Sequence, residues 1–137
     1  MGYFDEKKSV DEYIKMAEGY DGKELIEILK KYFPKKSSVL ELGMGLGKDL
    51  EILSKSFKVT GSDFSQVFIE ICKGNNSNAD IFLLDAVKMN TKRRFDCIYS
   101  NKVLHHLKKE DLKSSLDKQL SNLNSNGILF HSFWYGD

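Results

Sequence analysis

The sequence predicts an α/β fold, a parallel sheet wound on both faces by helices. Three observations predict it. Short apolar runs alternate with amphipathic helical patterns from Ser38 to Phe133, the order expected of strand–helix–strand units. The runs are continuously apolar, as strands are when helices cover both sheet faces. A loop with alternating glycines, Gly43, Gly45 and Gly47, joins the first run to a helical pattern.

The elements follow in order. Residues 9–18 carry Val10, Tyr13, Ile14 and Ala17 on one helical face. Gly22 to Phe33 repeats the pattern with Leu25, Ile26, Ile28, Leu29, Tyr32 and Phe33, and Pro34 stops it. Ser38 to Leu42 is the first strand. Lys48 to Ser56 is a helix with Leu50, Ile52 and Leu53 inward. Phe57 to Ser62 is the second strand, ending at Asp63. Ser65 is the expected N-cap of a helix reaching Lys73, and Gly74 to Asn78 is a turn cluster. Asp80 to Leu84 is the third strand, ending at Asp85, and Phe95 to Tyr99 the fourth. Lys109 to Leu123 is a helix with Leu112, Leu116, Leu120 and Leu123 on its apolar stripe, and Gly127 to Phe133 is the fifth strand. The 137 residues suit a single domain, with residues 1–34 a helical cap and 35–137 the α/β core.

Composition excludes several classes. Hydrophobic residues make up 41%, too many for a disordered chain. A net charge of +1 from 21 basic and 20 acidic residues argues against a nucleic-acid partner, which needs a clustered basic face. Lys35-Lys36 and Lys92-Arg93-Arg94 read as solvated loops. Cys72 and Cys97 form no metal-ligand spacing and read as buried free thiols in a reducing compartment, so no metal is expected. The acidic start, Met1 to Glu6, has no apolar signal region, and no run has the length of a membrane span. The expectation is a soluble cytoplasmic protein with no membrane partner.

In such sheets ligands bind outside the carboxyl ends of the strands. Glu41, Asp63 and Asp85 end the first three strands and Asn101 lies just past the fourth, so topology brings four separated polar residues to one rim. The loop beside them is not a phosphate-binding P-loop. Gly47-Lys48 is followed by Asp49, and Leu42 stands where the first glycine belongs. Nor is it the dinucleotide fingerprint, because either start, Gly43 or Gly45, misses the third glycine; this sets aside a nucleotide-dependent oxidoreductase. It matches ExGxGxG from Glu41 to Gly47. Glycines allow positive φ and close backbone approach, and Glu41 can accept a hydrogen bond from an ammonium. An amino-acid moiety suits such a loop better than a pyrophosphate.

Val39-Leu40-Glu41-Leu42-Gly43-Met44-Gly45-Leu46-Gly47-Lys48-Asp49-Leu50 resembles the first motif of class I S-adenosylmethionine-dependent methyltransferases of the small-molecule type. Val59 to Ser65 is similar to their second motif, whose acid, here Asp63, binds the ribose hydroxyls while the next residue, Phe64, packs on the adenine. Leu84-Asp85-Ala86 resembles the third, whose acid meets the adenine amino group. Phe95 to Leu107 resembles the family's FDxIxSxxxLHHL segment, and Asn126 to Phe130 its PGGxL turn and strand. The resemblance implies a Rossmann-like sheet of order 3-2-1-4-5, S-adenosylmethionine as cofactor, and a small-molecule acceptor. It implies cofactor contacts at Glu41, Gly43, Gly45, Gly47, Asp63, Phe64, Asp85, Ala86 and Asn101. Tyr20, an N-terminal aromatic, would cover the cofactor, with core packing as its alternative.

Asp96 begins a strand at the opposite rim and reads as structural. His131 reads as a hydrogen-bonded interior histidine. Adjacent His105 and His106 point about 100° apart and do not suit one small ion. Helix start and packing are expected of His106, and packing over the cofactor or facing a substrate of His105. No catalytic residue is assigned; His105 is the first candidate for a general base, followed by Tyr99 and Lys102. The family continues past the fifth strand with a helix and two strands, whereas this sequence ends at Asp137. Ile128, Phe130 and Trp134 point one way along the last strand, and Leu129, Phe133 and Tyr135 the other. A fragment is the first expectation, then pairing of this edge with a second subunit as a homodimer, then a truncated cofactor-binding module without catalysis.

Overall fold

The structure, a computed structural model, describes residues 22–76 and 78–133. The helix expected at residues 9–18, Tyr20, and the Trp134 and Tyr135 side chains lie outside the described residues.

The described chain runs α1 (Lys23–Leu29), β1 (Ser38–Glu41), α2 (Lys48–Ser54), β2 (Lys58–Asp63), α3 (Gln66–Asn75), β3 (Asp80–Leu83), β4 (Phe95–Asn101), a 3₁₀ turn (Leu104–His106), α4 (Lys109–Leu120) and β5 (Leu123–Ser132). The sheet order is β3-β2-β1-β4-β5, and every pairing is parallel. This is the doubly wound, Rossmann-like sheet that the sequence predicts. In register, Glu41 lies beside Gly61 and Tyr99, and Asp63 beside Leu83. The carboxyl ends of β1, β2, β3 and β4 therefore meet at one rim.

Alternation along each strand divides the core between the two faces. Val39, Cys97 and Tyr99 pack with Ile26, Leu29, Leu53 and Phe57 of the α1–α2 side. Leu40 and Ile98 face the other way, with Leu42, Leu84, Met89, Leu104 and the leucines of α4, and Phe95 at the start of β4 joins them. A third cluster, Met44, Leu50, Ile69, Cys72 and Ile81, seats α3 under the glycine loop. Ser65 caps α3 as expected, its hydroxyl accepting from the Phe68 amide. Asp96 is structural as expected, accepting from the Ser38 amide at 2.9 Å and from Asn124 at 3.1 Å. Both cysteines are buried and free.

Three boundaries differ from expectation by more than two residues. Helix α1 stops at Leu29 because a tight turn takes over, the Tyr32 amide donating to the Leu29 carbonyl at 3.0 Å; Ile28 and Tyr32 are exposed. Helix α4 ends at Leu120 rather than Leu123. There the Asn122 amide side chain donates to the carbonyls of Thr91 and Arg93 at 2.8 and 3.0 Å, drawing the chain off its helical path. Leu123 instead begins β5 opposite Phe95, and Leu120 is 60% exposed. The turn expected at Asn126-Gly127 is a bulge inside β5. Leu123 faces Phe95 but Ile128 faces Cys97, so β5 carries extra residues between them, among which Asn126 takes φ 67°, a conformation Asn tolerates.

Among the described residues no helix is long and apolar enough to cross a membrane. Nor does any group of three or more His, Cys, Asp and Glu side chains among them stand ready to hold a metal ion.

Candidate functional site

The glycine loop sits at the head of β1. Gly43, Gly45 and Gly47 have φ of 63°, 55° and 82°, the left-handed region that side chains with a Cβ avoid. The loop is fastened from below. The Met44 amide donates to the Ser62 carbonyl at 2.9 Å, and the Cys72 thiol donates to the Gly45 carbonyl at 3.2 Å. Burial, then Glu41 and Asp63 nearby, push that thiol up to about 11, so it stays protonated as a donor at neutral pH. Sequence reasoning left Cys72 as an inert core thiol; the structure makes it the floor of the loop.

Asp63 reaches the rim buried, one oxygen accepting from the Gly45 amide at 3.0 Å and the other from the Ser65 amide at 2.9 Å. It joins the loop to the end of β2. The neighbouring Phe64 is 36% exposed and presents an apolar ring to solvent. Asp85 is half-buried and accepts from the Val87 amide at 2.8 Å, the local turn bond that short acids make. Ala86 follows, packed against the β4–α4 cluster.

Glu41 lies at the centre of the rim. It is 3% exposed, and its Oε1 has no hydrogen-bond partner. Burial, reinforced by Asp49 and Asp63, holds its carboxyl well above the usual carboxylate range. A buried polar atom without a partner costs free energy.

Asp49 was not anticipated as a site residue. It is buried and accepts three hydrogen bonds: from the Gly22 amide at 2.6 Å, the Tyr99 hydroxyl at 2.9 Å and the Asn101 amide side chain at 3.0 Å. One carboxylate thus gathers the start of α1 and two residues of β4. A Cβ on Gly22 would collide with the Tyr99 hydroxyl and the Asp49 carboxylate, so a larger residue there would have to displace this hydrogen-bonded pair. The legible signal was spacing: Asp49 is four residues before the buried Leu53, which puts a charge on the inward stripe of α2. Asn101, the last residue of β4, is held at both ends, since its oxygen accepts from the Ser132 hydroxyl at 2.7 Å.

Of the general-base candidates, Tyr99 is wholly buried and donates to Asp49. Burial and the Asp49 charge push its hydroxyl far above its ordinary range, which removes it from consideration. Lys102 follows Asn101 at φ 57°. His105 and His106 are exposed, their ring centroids 4.0 Å apart. His106 ends the 3₁₀ turn (Leu104–His106) rather than starting a helix, and it is exposed rather than packed. Partial burial, then His106 and Lys102, hold His105 below its ordinary value, leaving it neutral at physiological pH. A separate groove of about 560 Å³ opens between α2 and α3; of the expected contact residues it includes Gly47 alone.

These features coincide with one known family. The methyltransferase domain matches residues 39–127, from β1 to the bulge of β5. The chain belongs to that family. No curated protein matches it in sequence. Solved methyltransferase structures share its fold. A TehB-like SAM-dependent methyltransferase from Corynebacterium glutamicum is 23% identical with a TM-score of 0.80, covering 96% of this chain and 76% of its own. A sugar N-methyltransferase from a Streptoalloteichus species is 17% identical with a TM-score of 0.80, covering 91% of this chain and 53% of its own. An amino pentose methyltransferase from Micromonospora echinaspora, solved with SAM bound, is 16% identical with a TM-score of 0.78, covering 92% and 56%. The methyltransferase domain described here thus spans about half the length of the latter two.

Proposed function

We propose that this chain binds S-adenosylmethionine at the rim of β1 to β4 and transfers its methyl group to a small-molecule acceptor. The observation that carries the reading is the buried, partnerless Oε1 of Glu41, set against Asp49 and Asp63. A rim with three carboxylates suits a ligand bearing an ammonium and a sulfonium. When bound, the cofactor supplies an activated methyl group, open to displacement by a nucleophile. Glu41 accepts from the ammonium. The positive-φ loop lets the backbone come close to the amino-acid moiety. Asp63 would accept from the ribose hydroxyls, and Phe64, Asp85 and Ala86 would hold the adenine. Asn101 closes the rim beside Asp49. Positioning is the chain's main contribution. His105, neutral and exposed just past β4, takes the proton of the acceptor.

Calorimetry with S-adenosylmethionine, S-adenosylhomocysteine and NAD tests the reading. Both sulfur ligands are expected to bind and NAD is not; failure of both sulfur ligands refutes it. Asp63→Ala is expected to weaken binding by about 1–3 kcal/mol, the loss of a buried hydrogen-bonding partner. Methyl transfer over a panel of amine and hydroxyl acceptors separates an enzyme from a binding module. In an active enzyme His105→Ala lowers kcat and leaves S-adenosylhomocysteine affinity near wild type.

A further inference from the structure

Helix α4 presents an uncommon face to the sheet. Leu112, Ser115, Leu116 and Gln119 form its inward stripe; Ser115 and Gln119 are wholly buried while Leu120 is 60% exposed. Polar side chains on a core stripe destabilise unless they are bonded.

Both are bonded, in one directed line. The Ser115 hydroxyl donates to the Ala86 carbonyl. Gln119 Nε2 donates to the Ser115 hydroxyl at 2.9 Å. With its nitrogen so used, Gln119 turns its oxygen to His131 Nε2, 2.7 Å away, so that ring nitrogen carries the proton. Nδ1 of the same ring is then an acceptor, and the buried Ser100 hydroxyl, 2.6 Å away, donates to it. Burial pushes His131 down to about 4, so the ring is neutral and the line intact at physiological pH. His131 is the interior histidine that the sequence predicts, but it has a direction: Ser100 to His131 to Gln119 to Ser115, ending on the residue after Asp85.

That terminus matters because the other hydrogen bonds that Asp85 makes to this turn stay within it. Asp85 bonds the amides of Val87 and Met89 through its side chain and carbonyl, each at 2.8 Å, and Met89 takes φ 44°. The Ser115 bond ties this turn to α4 and, through the line, to β4 and β5.

We propose that Ser115, Gln119 and His131 are positioning residues that fix the Asp85–Ala86 turn and so set its preference for adenine over other purines. This rests on the reading of that turn as the adenine contact. Adenine offers an exocyclic amino donor to Asp85, whereas hypoxanthine offers an oxygen there, which a carboxylate repels. Discrimination requires the carboxylate to be held in place, and a loosened turn gives it up.

The experiment compares S-adenosylhomocysteine with S-inosylhomocysteine by calorimetry, on the wild-type chain and on Ser115→Ala, Gln119→Leu and Ser115→Thr, with folding checked by thermal melts. Wild type is expected to favour the adenine ligand by roughly 10-fold or more, the worth of a hydrogen bond to a charged group. Ser115→Ala and Gln119→Leu are expected to cut that ratio at least about 3-fold, a partial loss of the same bond, while Ser115→Thr, which keeps the hydroxyl, retains it. A purely structural role would lower melting temperature or weaken both ligands together without moving the ratio. If Ser115→Ala does not fold, Ser115→Cys, similar in size and a poor donor, carries the test. An unchanged ratio in folded variants overturns the positioning role and leaves the adenine contact standing; equal binding of both ligands by wild type overturns the Asp85–adenine contact and the positioning role together. Failure of wild type to bind either ligand overturns the cofactor reading and this inference with it.

Discussion

Replacing Glu41 by Gln keeps the shape of the side chain and removes its charge, and the structure predicts two effects of opposite sign. The first concerns stability. In the unfolded chain Glu41 loses its proton in the ordinary carboxylate range; in the fold, burial and then Asp49 and Asp63 make it hold the proton to higher pH. Between those two values the folded state binds more protons than the unfolded state, so stability falls as pH rises through the window. Gln has no such dependence. Below the window the two proteins melt alike, and above it the variant is the more stable. An unpartnered charge costs the interior more than a neutral amide in the same place, by about the 1–3 kcal/mol scale of a buried unsatisfied group, and each kcal/mol moves the melting temperature of a domain this size by about 3–5 °C. The variant is therefore expected to melt about 3–15 °C higher at about pH 8 without ligand. The second effect is on binding. A hydrogen bond to a charged acceptor contributes about 1.5–3 kcal/mol, so affinity for S-adenosylmethionine falls roughly 10- to 150-fold. Melts from about pH 5 to 9 and calorimetry at about pH 8 read the two effects. A variant no more stable than wild type at high pH, or a gain that does not vary with pH, refutes the buried-charge argument. Unchanged affinity refutes the ammonium contact.

Further predictions concern the surrounding shell and the sheet edge. Asp49→Ala strands three donors, from Gly22, Tyr99 and Asn101. It is expected to cost at least about 2 kcal/mol in denaturant melts, and a loss under about 0.5 kcal/mol, the level of a surface change, would contradict the hub. Cys72, with its thiol near 11 and only 4% exposed, is expected to resist alkylation in the native state and react on unfolding. Rapid native labelling at neutral pH is the contrary result. Along β5, Ile128 and Phe130 pack toward one face of the sheet and Leu129 toward the other, with Phe133 exposed. An apolar outer edge of this kind favours association, so this 137-residue chain is expected to dimerise or aggregate at tens of micromolar, roughly the range where exposed edges associate. A monodisperse monomer in light scattering would count against it.

The sequence by itself determined the class of sheet, the three backbone positions in the loop that need glycine, and the convergence of Glu41, Asp63 and Asp85 on one rim. These are local or topological properties. An apolar run shows its strand, a positive φ demands its glycine, and parallel strands bring their carboxyl ends together. Boundaries were legible where one side chain acts nearby, as Ser65 does on α3, and failed where the stopping force comes from afar. Asn122 ends α4 by bonding carbonyls some thirty residues earlier in the chain, and periodicity carries no trace of that. The tertiary structure alone decided which polar groups share the interior. Asp49 served in the sequence only to rule out a phosphate loop, yet in the fold it collects donors from α1 and β4. Gln119 fell between expected core leucines, and the buried line from Ser100 to Ala86 runs through it. Both cases have one physical cause. A polar side chain withdrawn from water must find a partner, and that partner is fixed by packing between distant segments rather than by neighbours in sequence.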